Sequence, residues 1–248
     1  MAKGTGLAQN FYVGGRDISG DVGAVRRCAS PRPSLDVTGI SQSAYHRVNG
    51  LADGVIEFAP WFNDAAGQEH LALRGLPTAN VIVLYANRAT RSAAAAGLVA
   101  KQVNYDWSRG PDGSLGGVVN AMANGTPVEW GLMLTAGMVT DAAAANGTSV
   151  DDTAATSNGI AGYLEIASIA TGTPTMVIQE SSDDGGVDAW TAKLTFTAVA
   201  AASAPTAERL TATGTVERYL RAVTTGTFTD AKYAIMYRRG TAQDDTVY

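Results

Sequence analysis

Apolar positions along this chain recur mainly at every second residue. Within residues 55–62, Ile56 and Phe58 alternate with Val55, Glu57 and Ala59, the period of a strand with two unlike faces. Val128, Trp130, Leu132 and Leu134 alternate in the same way with Pro127, Glu129, Gly131 and Met133. The unbroken run Val-Ile-Val-Leu-Tyr at 81–85 predicts a buried strand. Two further strands, 98–107 and 115–123, are reversed by the turn signal Pro111-Asp112-Gly113. Helical spacing is clearest at 65–76, where Leu73 and Leu76 stand three apart, Asn63 or Asp64 is placed to cap the start, and Pro77 ends the run.

The flanks of these elements set the organisation. Residues 1–10 are polar and Gly-rich and read as an arm, followed by a short strand from Phe11 that Gly14-Gly15 turns back. Pro31 and Pro33 confine 28–35 to a loop or a sheet edge, and 41–50 reads as loop with one helical turn. From 140 to 159 the residues are nearly all Ala, Asn, Asp, Thr, Ser and Gly, too little apolar surface to offset ordering entropy. The expected division is therefore a β domain at 1–140, a linker at 141–159 and a small β-sandwich, Ig-like or jelly-roll-like, at 160–248. The fold class is mainly β: a barrel or sandwich with one short helix, plus that C-terminal sandwich.

Composition narrows the role. Of the 248 residues, 46% are hydrophobic but only 17% are charged, against roughly 25% charged in an average globular protein. A surface rich in Ala, Gly, Ser and Thr loses little hydration when covered by a neighbour, which suits a subunit buried among its copies. The net charge of −5 and the lack of a basic cluster beyond Arg26, Arg27 and Arg32 exclude phosphate-driven nucleic-acid binding. Cys28 is the one cysteine, so no intrachain disulfide or cysteine metal site is expected. No apolar run is long enough for a bilayer span and the N-terminus lacks the apolar core of a signal peptide, so synthesis in a cytoplasm, with no membrane partner, is the expectation.

Catalytic chemistry finds little to stand on. His46 and His70 are the two histidines, and although Ser43 and Asp36 lie near His46, no Gly-x-Ser-x-Gly is present. Phosphate-loop and dinucleotide-binding patterns are likewise missing. Asp183, Asp184 and Asp188, around Gly185-Gly186, could offer oxygens to Ca²⁺, but Asp-Asp-Gly-Gly is also what a tight turn requires. Trp61, Trp107, Trp130 and Trp190 are possible sugar platforms, with Trp190 the candidate in the C-terminal region. The expectation is no enzyme, no cofactor and no metal.

Three stretches carry a resemblance. Asp36-Val37-Thr38-Gly39-Ile40, Ser43-Ala44-Tyr45 and Gly50-Leu51-Ala52-Asp53-Gly54-Val55-Ile56-Glu57-Phe58 resemble the front half of major tail tube proteins of long-tailed phages, nearest to those of actinobacteriophages. The opening Met-Ala-Lys-Gly-Thr-Gly belongs to that likeness, which covers about residues 1–140. Gln179 to Asp183 and Arg218 to Val223 resemble, more loosely, β-sandwich domains appended to phage structural proteins.

The resemblance implies a virion protein whose hexameric rings stack into a channel through which genomic DNA passes without specific binding. It implies partnership with other copies and other tail proteins, and with host glycans through the C-terminal domain if that domain faces outward. Phe11, Leu35, Val37, Ile40, Tyr45 and Leu51 are the expected contacts between subunits. The alternative is a head decoration or attachment protein with a carbohydrate-binding C-terminal domain.

Overall fold

The alternating runs fold as strands, and the computed structural model, which describes residues 6–241, is mainly β. In chain order come β1 (Asn10–Val13), β2 (Arg16–Asp17), β3 (Val22–Ala29), β4 (Ser34–Asp36), β5 (Arg47–Asn49) and β6 (Val55–Pro60). A single helical turn, α1 (Glu69–Leu73), precedes β7 (Val81–Ala86), β8 (Ala94–Gln102), β9 (Asp106–Arg109), β10 (Leu115–Ala123) and β11 (Glu129–Met133). The remainder is β12 (Val139–Asp141), β13 (Ala145–Asn146), β14 (Val150–Asp151), β15 (Ile160–Gly172), β16 (Thr175–Ser181), β17 (Thr191–Thr195), a short 3-10 turn (Ala201–Ser203), β18 (Thr206–Ala212), β19 (Tyr219–Thr225) and β20 (Phe228–Arg239).

Among the described residues, thirteen strands share one sheet whose main path runs β18-β15-β20-β11-β8-β10-β6-β3. The step between β11 and β20 sets Leu132 opposite Tyr237 and Met133 opposite Met236. One sheet thus spans residues on both sides of position 150, and so does the apolar core, in which Tyr12, Leu84 and Met133 pack with Tyr163, Ala234 and Met236. A second, five-stranded sheet, with β16 and β19 paired at its centre, closes over β15 and β20. Ile178, Met176 and Leu220 from it meet Leu164, Ile166 and Ile235 in a sandwich core. Each such side chain, fully buried, contributes about 1.5–3 kcal/mol.

Several expectations need correction. The helix of 65–76 shrinks to five residues: Gly67 has φ +79° and Leu76 φ +39°, so the chain leaves helical geometry on either side of α1. Asn63 does not cap it, since its side-chain oxygen accepts instead from the Ala65 N–H at 3.2 Å. The strand expected over 98–107 is two strands, β8 and β9, broken where Asn104 bonds Asp106 and the Val118 carbonyl. Burial along β11 does not keep the period of two: Glu129 and Met133 are buried, Trp130 is exposed, and Gly131 and Leu132 are half-buried.

Residues 141–159, expected to be a linker, hold strands: Ala145 pairs with Thr224 and Val150 with Leu220. Polar groups order this stretch where apolar ones are scarce. Asp141 accepts from the hydroxyls of Tyr233 at 2.9 Å and Thr224 at 2.7 Å, and Asp152 from that of Tyr237 at 2.7 Å. The loop expected at 41–50 contains β5, which pairs with β4. Of the expected N-terminal arm, residues 1–5 lie outside the described residues, as do 242–248 of the expected C-terminal domain.

Candidate assembly interface

The segment between β3 and β6 makes a hairpin of its own. Ser34 faces Asn49, Leu35 faces Val48 and Asp36 faces Arg47, and neither strand pairs with any other described strand. Main-chain bonds extend the ladder at both ends. At the base, Gly50 donates to the Pro33 carbonyl at 2.8 Å and Asp53 to that of Pro31 at 2.9 Å. Toward the tip, Val37 donates to the His46 carbonyl at 2.9 Å. At about 3.3 Å per residue, this ladder from Pro31 to Val37 is roughly 20 Å long.

The tip is held by side chains. The Thr38 hydroxyl donates to Asp36 Oδ1 and in turn accepts from the His46 N–H at 2.8 Å. That hydroxyl and the Thr38 N–H hold the Asp36 carboxyl below its usual range. Arg47 lies over the Tyr45 ring, its Cζ 4.8 Å from the centroid.

Among exposed polar residues such as Asp36 and Arg47, this hairpin presents several apolar side chains to solvent. Leu35, Val37, Tyr45 and Val48 are exposed, Ile40 is fully so, and Leu51 at the base is 91% exposed. A two-stranded hairpin is marginal in water unless its apolar side chains are covered, and a contiguous apolar patch on an isolated subunit marks an interaction surface. Five of the six residues expected at subunit contacts are exposed on or beside this hairpin. The sixth, Phe11, is not: it is 2% exposed and stacks on Phe58 with centroids 4.5 Å apart, so it belongs to the core.

The main path of the large sheet ends in β3 and β18, which pair only with β6 and β15 respectively among the described strands. Both are blunted. Register shifts between Val22 and Ala24 and between Val25 and Arg27 bulge β3, and Arg26 and Arg27 are exposed on it. Bulges and charges of this kind discourage indiscriminate edge pairing. On β18, Glu208 accepts from the N–H and hydroxyl of Thr197, both at 2.8 Å. The hairpin also carries exposed charges, Asp36 and Arg47, and Arg47 lies over Tyr45, but Leu35, Ile40 and Leu51 stay exposed.

The other candidates separate. Asp183 spends its carboxylate on the N–H groups of Gly186 at 2.9 Å and Val187 at 2.6 Å, and Asp188 accepts from the Ser182 N–H at 2.8 Å. Asp184 sits at φ +63° in the same turn. The carboxylates of Asp183 and Asp188 shape the turn, and no group of three or more His, Cys, Asp or Glu among the described residues is placed to hold a metal ion. Beside His46, the Thr38 hydroxyl donates to the Asp36 carboxylate and accepts from the His46 main-chain N–H. His70 packs on Phe62 and has Nδ1 2.7 Å from the Tyr105 hydroxyl. Trp190 carries Arg221 over its ring at 4.3 Å, which occupies one stacking face. No helix among the described residues is long and apolar enough to cross a membrane.

Sequence reasoning missed the hairpin because its two strands are three residues each, too short to show a period. The signal that could have found it is Pro33-Ser-Leu-Asp and Arg47-Val-Asn-Gly flanking a polar turn.

No protein-family model matches the chain, and no curated protein matches it in sequence. Among solved structures, it is similar to the SPP1 Dit (gp 19.1) protein, described as a paradigm of hub adsorption apparatus in phages infecting Gram-positive hosts. The identity is 12% over 94% of this chain and 100% of that one, with a TM-score of 0.35. It is also similar to a chain of the phage p2 baseplate in its activated conformation with Sr, at 7% identity over 94% and 99% of the two chains and a TM-score of 0.33. The same baseplate with Ca gives 9% identity over 94% and 99%, with a TM-score of 0.32. With TM-scores below 0.5, none of these likenesses assigns the chain to a family.

Proposed function

We propose that this chain is a structural subunit that assembles with copies of itself, and that the assembly is the tube of a phage tail. The observation that carries the reading is the β4–β5 hairpin: it is held by its own ladder and presents Leu35, Val37, Ile40, Tyr45 and Leu51 to solvent. A subunit that spends an apolar hairpin on solvent loses stability, whereas one that buries it in a neighbour gains roughly 25 cal/mol for each Å² covered. The tail assignment rests on the sequence resemblance over residues 36–58, which includes β5 and the tip of this hairpin.

In this reading, rings of six subunits stack, with the hairpin of one ring seated on the next. A heterologous contact of this type closes into a ring or propagates as a tube, depending on its rotation. The net charge of −5 suits a wall past which DNA slides, since like charges do not adhere.

Negative-stain electron microscopy of the purified full chain over a range of concentrations tests the proposal. Long tubes with a central channel support it. Discrete rings that never stack support self-assembly but replace the tube with a single-ring component of the tail. Monodisperse single subunits at every concentration overturn self-assembly.

A further inference from the structure

Trp61 follows β6 directly and bridges to Gly116 on β10. It remains 52% exposed, although Ile56, Phe58 and Pro60 just before it are buried. Two glycines explain how it lies. A Cβ built on Gly23 of β3 would stand 2.5 Å from Trp61 Nε1 and 3.0 Å from Cε2, and one on Gly116 would stand 3.6 Å from Cζ3. The indole therefore fills space that a side chain at position 23 would need, and lies in van der Waals range of position 116. It rests along the backbone of the sheet, with its remaining surface open to solvent.

The open surface belongs to a cleft of about 300 Å³ whose walls also include Arg26, Ser108 and Ser114. Small-ligand sites combine mainly apolar walls with a few placed polar groups. Here Ala24, Ala59, Pro60 and Val118 flank the indole, and Arg26, Ser108 and Ser114 supply the hydrogen-bonding groups. Ser114 already donates to Asp112 at 2.7 Å, so its oxygen is left to accept. Arg26 is tied only loosely, to Glu57 at 3.8 Å, and keeps donors for a ligand.

A pyranose ring matches this set. The C–H bonds of one sugar face stack on an indole, while the equatorial hydroxyls at the ring edge both donate and accept hydrogen bonds. The cleft is at the small end of ligand sites, the size for a short stretch of a longer glycan. We propose that this cleft binds a neutral polysaccharide by stacking a pyranose ring on Trp61. The site lies in the N-terminal half, away from Trp190.

The test titrates the full chain with chitotetraose, cellotetraose and a β-galactotetraose. Tryptophan fluorescence and the amide resonances of Gly23, Ser114 and Gly116 are followed, and self-association is measured in parallel by sedimentation. At least one sugar should give a saturable change centred on those amides. Trp61→Ala should weaken it at least tenfold, Gly23→Ala should weaken it by tilting the ring, and Trp190→Ala should leave it unchanged. Circular dichroism melts confirm that each variant is folded. Absence of saturable binding to all three sugars overturns the proposal, as does binding that survives Trp61→Ala. Loss of self-association in Trp61→Ala without any sugar binding also overturns it and makes the cleft a contact between copies. Sugar binding is read on single subunits, so its failure is distinct from failure of the tube reading.

Discussion

Arg209 on β18 reaches Glu129 on β11 with two parallel bonds, Nε to Oε2 at 2.6 Å and Nη2 to Oε1 at 2.9 Å. Arg238 adds a third at 3.1 Å, and the Tyr163 hydroxyl donates to the same carboxylate. Burial by itself would raise the Glu129 carboxyl, but the Arg209 bonds and charge hold it below its usual range. This cluster ties a strand of the first half to three strands of the second. Removing one partner of a buried pair leaves an uncompensated charge and costs about 3–5 kcal/mol. Glu129→Gln and Arg209→Ala should each lower unfolding free energy by about that much in urea titrations. Their effects in the double variant should fall short of the sum, because both remove the same interaction.

The hairpin predicts the opposite separation of stability and assembly. Ile40 and Leu51 are exposed and take no part in any core cluster. Ile40→Asp combined with Leu51→Asp should therefore leave the midpoint of unfolding of the isolated subunit within about 0.5 kcal/mol of the parent. Sedimentation velocity should show the assembled fraction collapsing in the same variant. A large loss of stability together with retained assembly would remove the hairpin from the interface.

The strongly alternating strands were readable from the sequence. β10 begins and ends where the residue pattern places it, at 115 and 123, and the Val-Ile-Val-Leu-Tyr run lies inside β7. What was not readable depended on distant partners. Nothing local to Glu129 says that Arg209, eighty positions on, will neutralise it, so the choice of buried face in β11 could not be read from the alternation. Residues 141–159 look unable to fold when only their own apolar surface is counted. They are ordered by the hydroxyls of Tyr233 and Tyr237. At the candidate interface, the apolar residues were legible as a set, but Phe11 was assigned to the surface because its stacking on Phe58 is a contact across 47 positions.

The turn between β1 and β2 is fixed by a close approach. Gly15 has φ +86°, and a Cβ there would meet the Ile166 carbonyl oxygen at 2.4 Å and the Thr206 amide nitrogen at 2.5 Å. Its N–H donates to the buried Glu165 carboxyl, which burial raises well above its usual range. Backbone atoms cannot yield as a flexible side chain does. Gly15→Ala should lower stability by more than about 2 kcal/mol, beyond the cost of the left-handed conformation alone. Gly14, also at positive φ but with nothing near its absent Cβ, should lose only about 1 kcal/mol on the same change. Thermal melts of the two variants side by side give the comparison.

Glu69 makes stability depend on pH with a definite sign. Its side chain is fully buried in α1, and burial pushes its carboxyl up to about 7 from the usual 4.5. The charge of Asp21, whose Oδ2 accepts the Glu69 N–H at 3.1 Å, adds to the rise, and the Tyr105 hydroxyl opposes it only in part. The folded chain therefore holds a proton that the unfolded chain has released between those two values. The contribution of Glu69 is fully present below about 4.5 and is lost as pH rises through about 7. At about 1.4 kcal/mol for each pH unit, the loss reaches about 3 kcal/mol. Glu69→Gln cannot ionise, so it should match the parent in acid and exceed it by up to about 3 kcal/mol above neutrality. Other titrating groups, Glu165 included, are common to both proteins and cancel in the difference. Urea unfolding of parent and variant from about pH 4 to 8 measures it. Parallel curves across that range would mean that Glu69 ionises as freely in the folded chain as in the unfolded one.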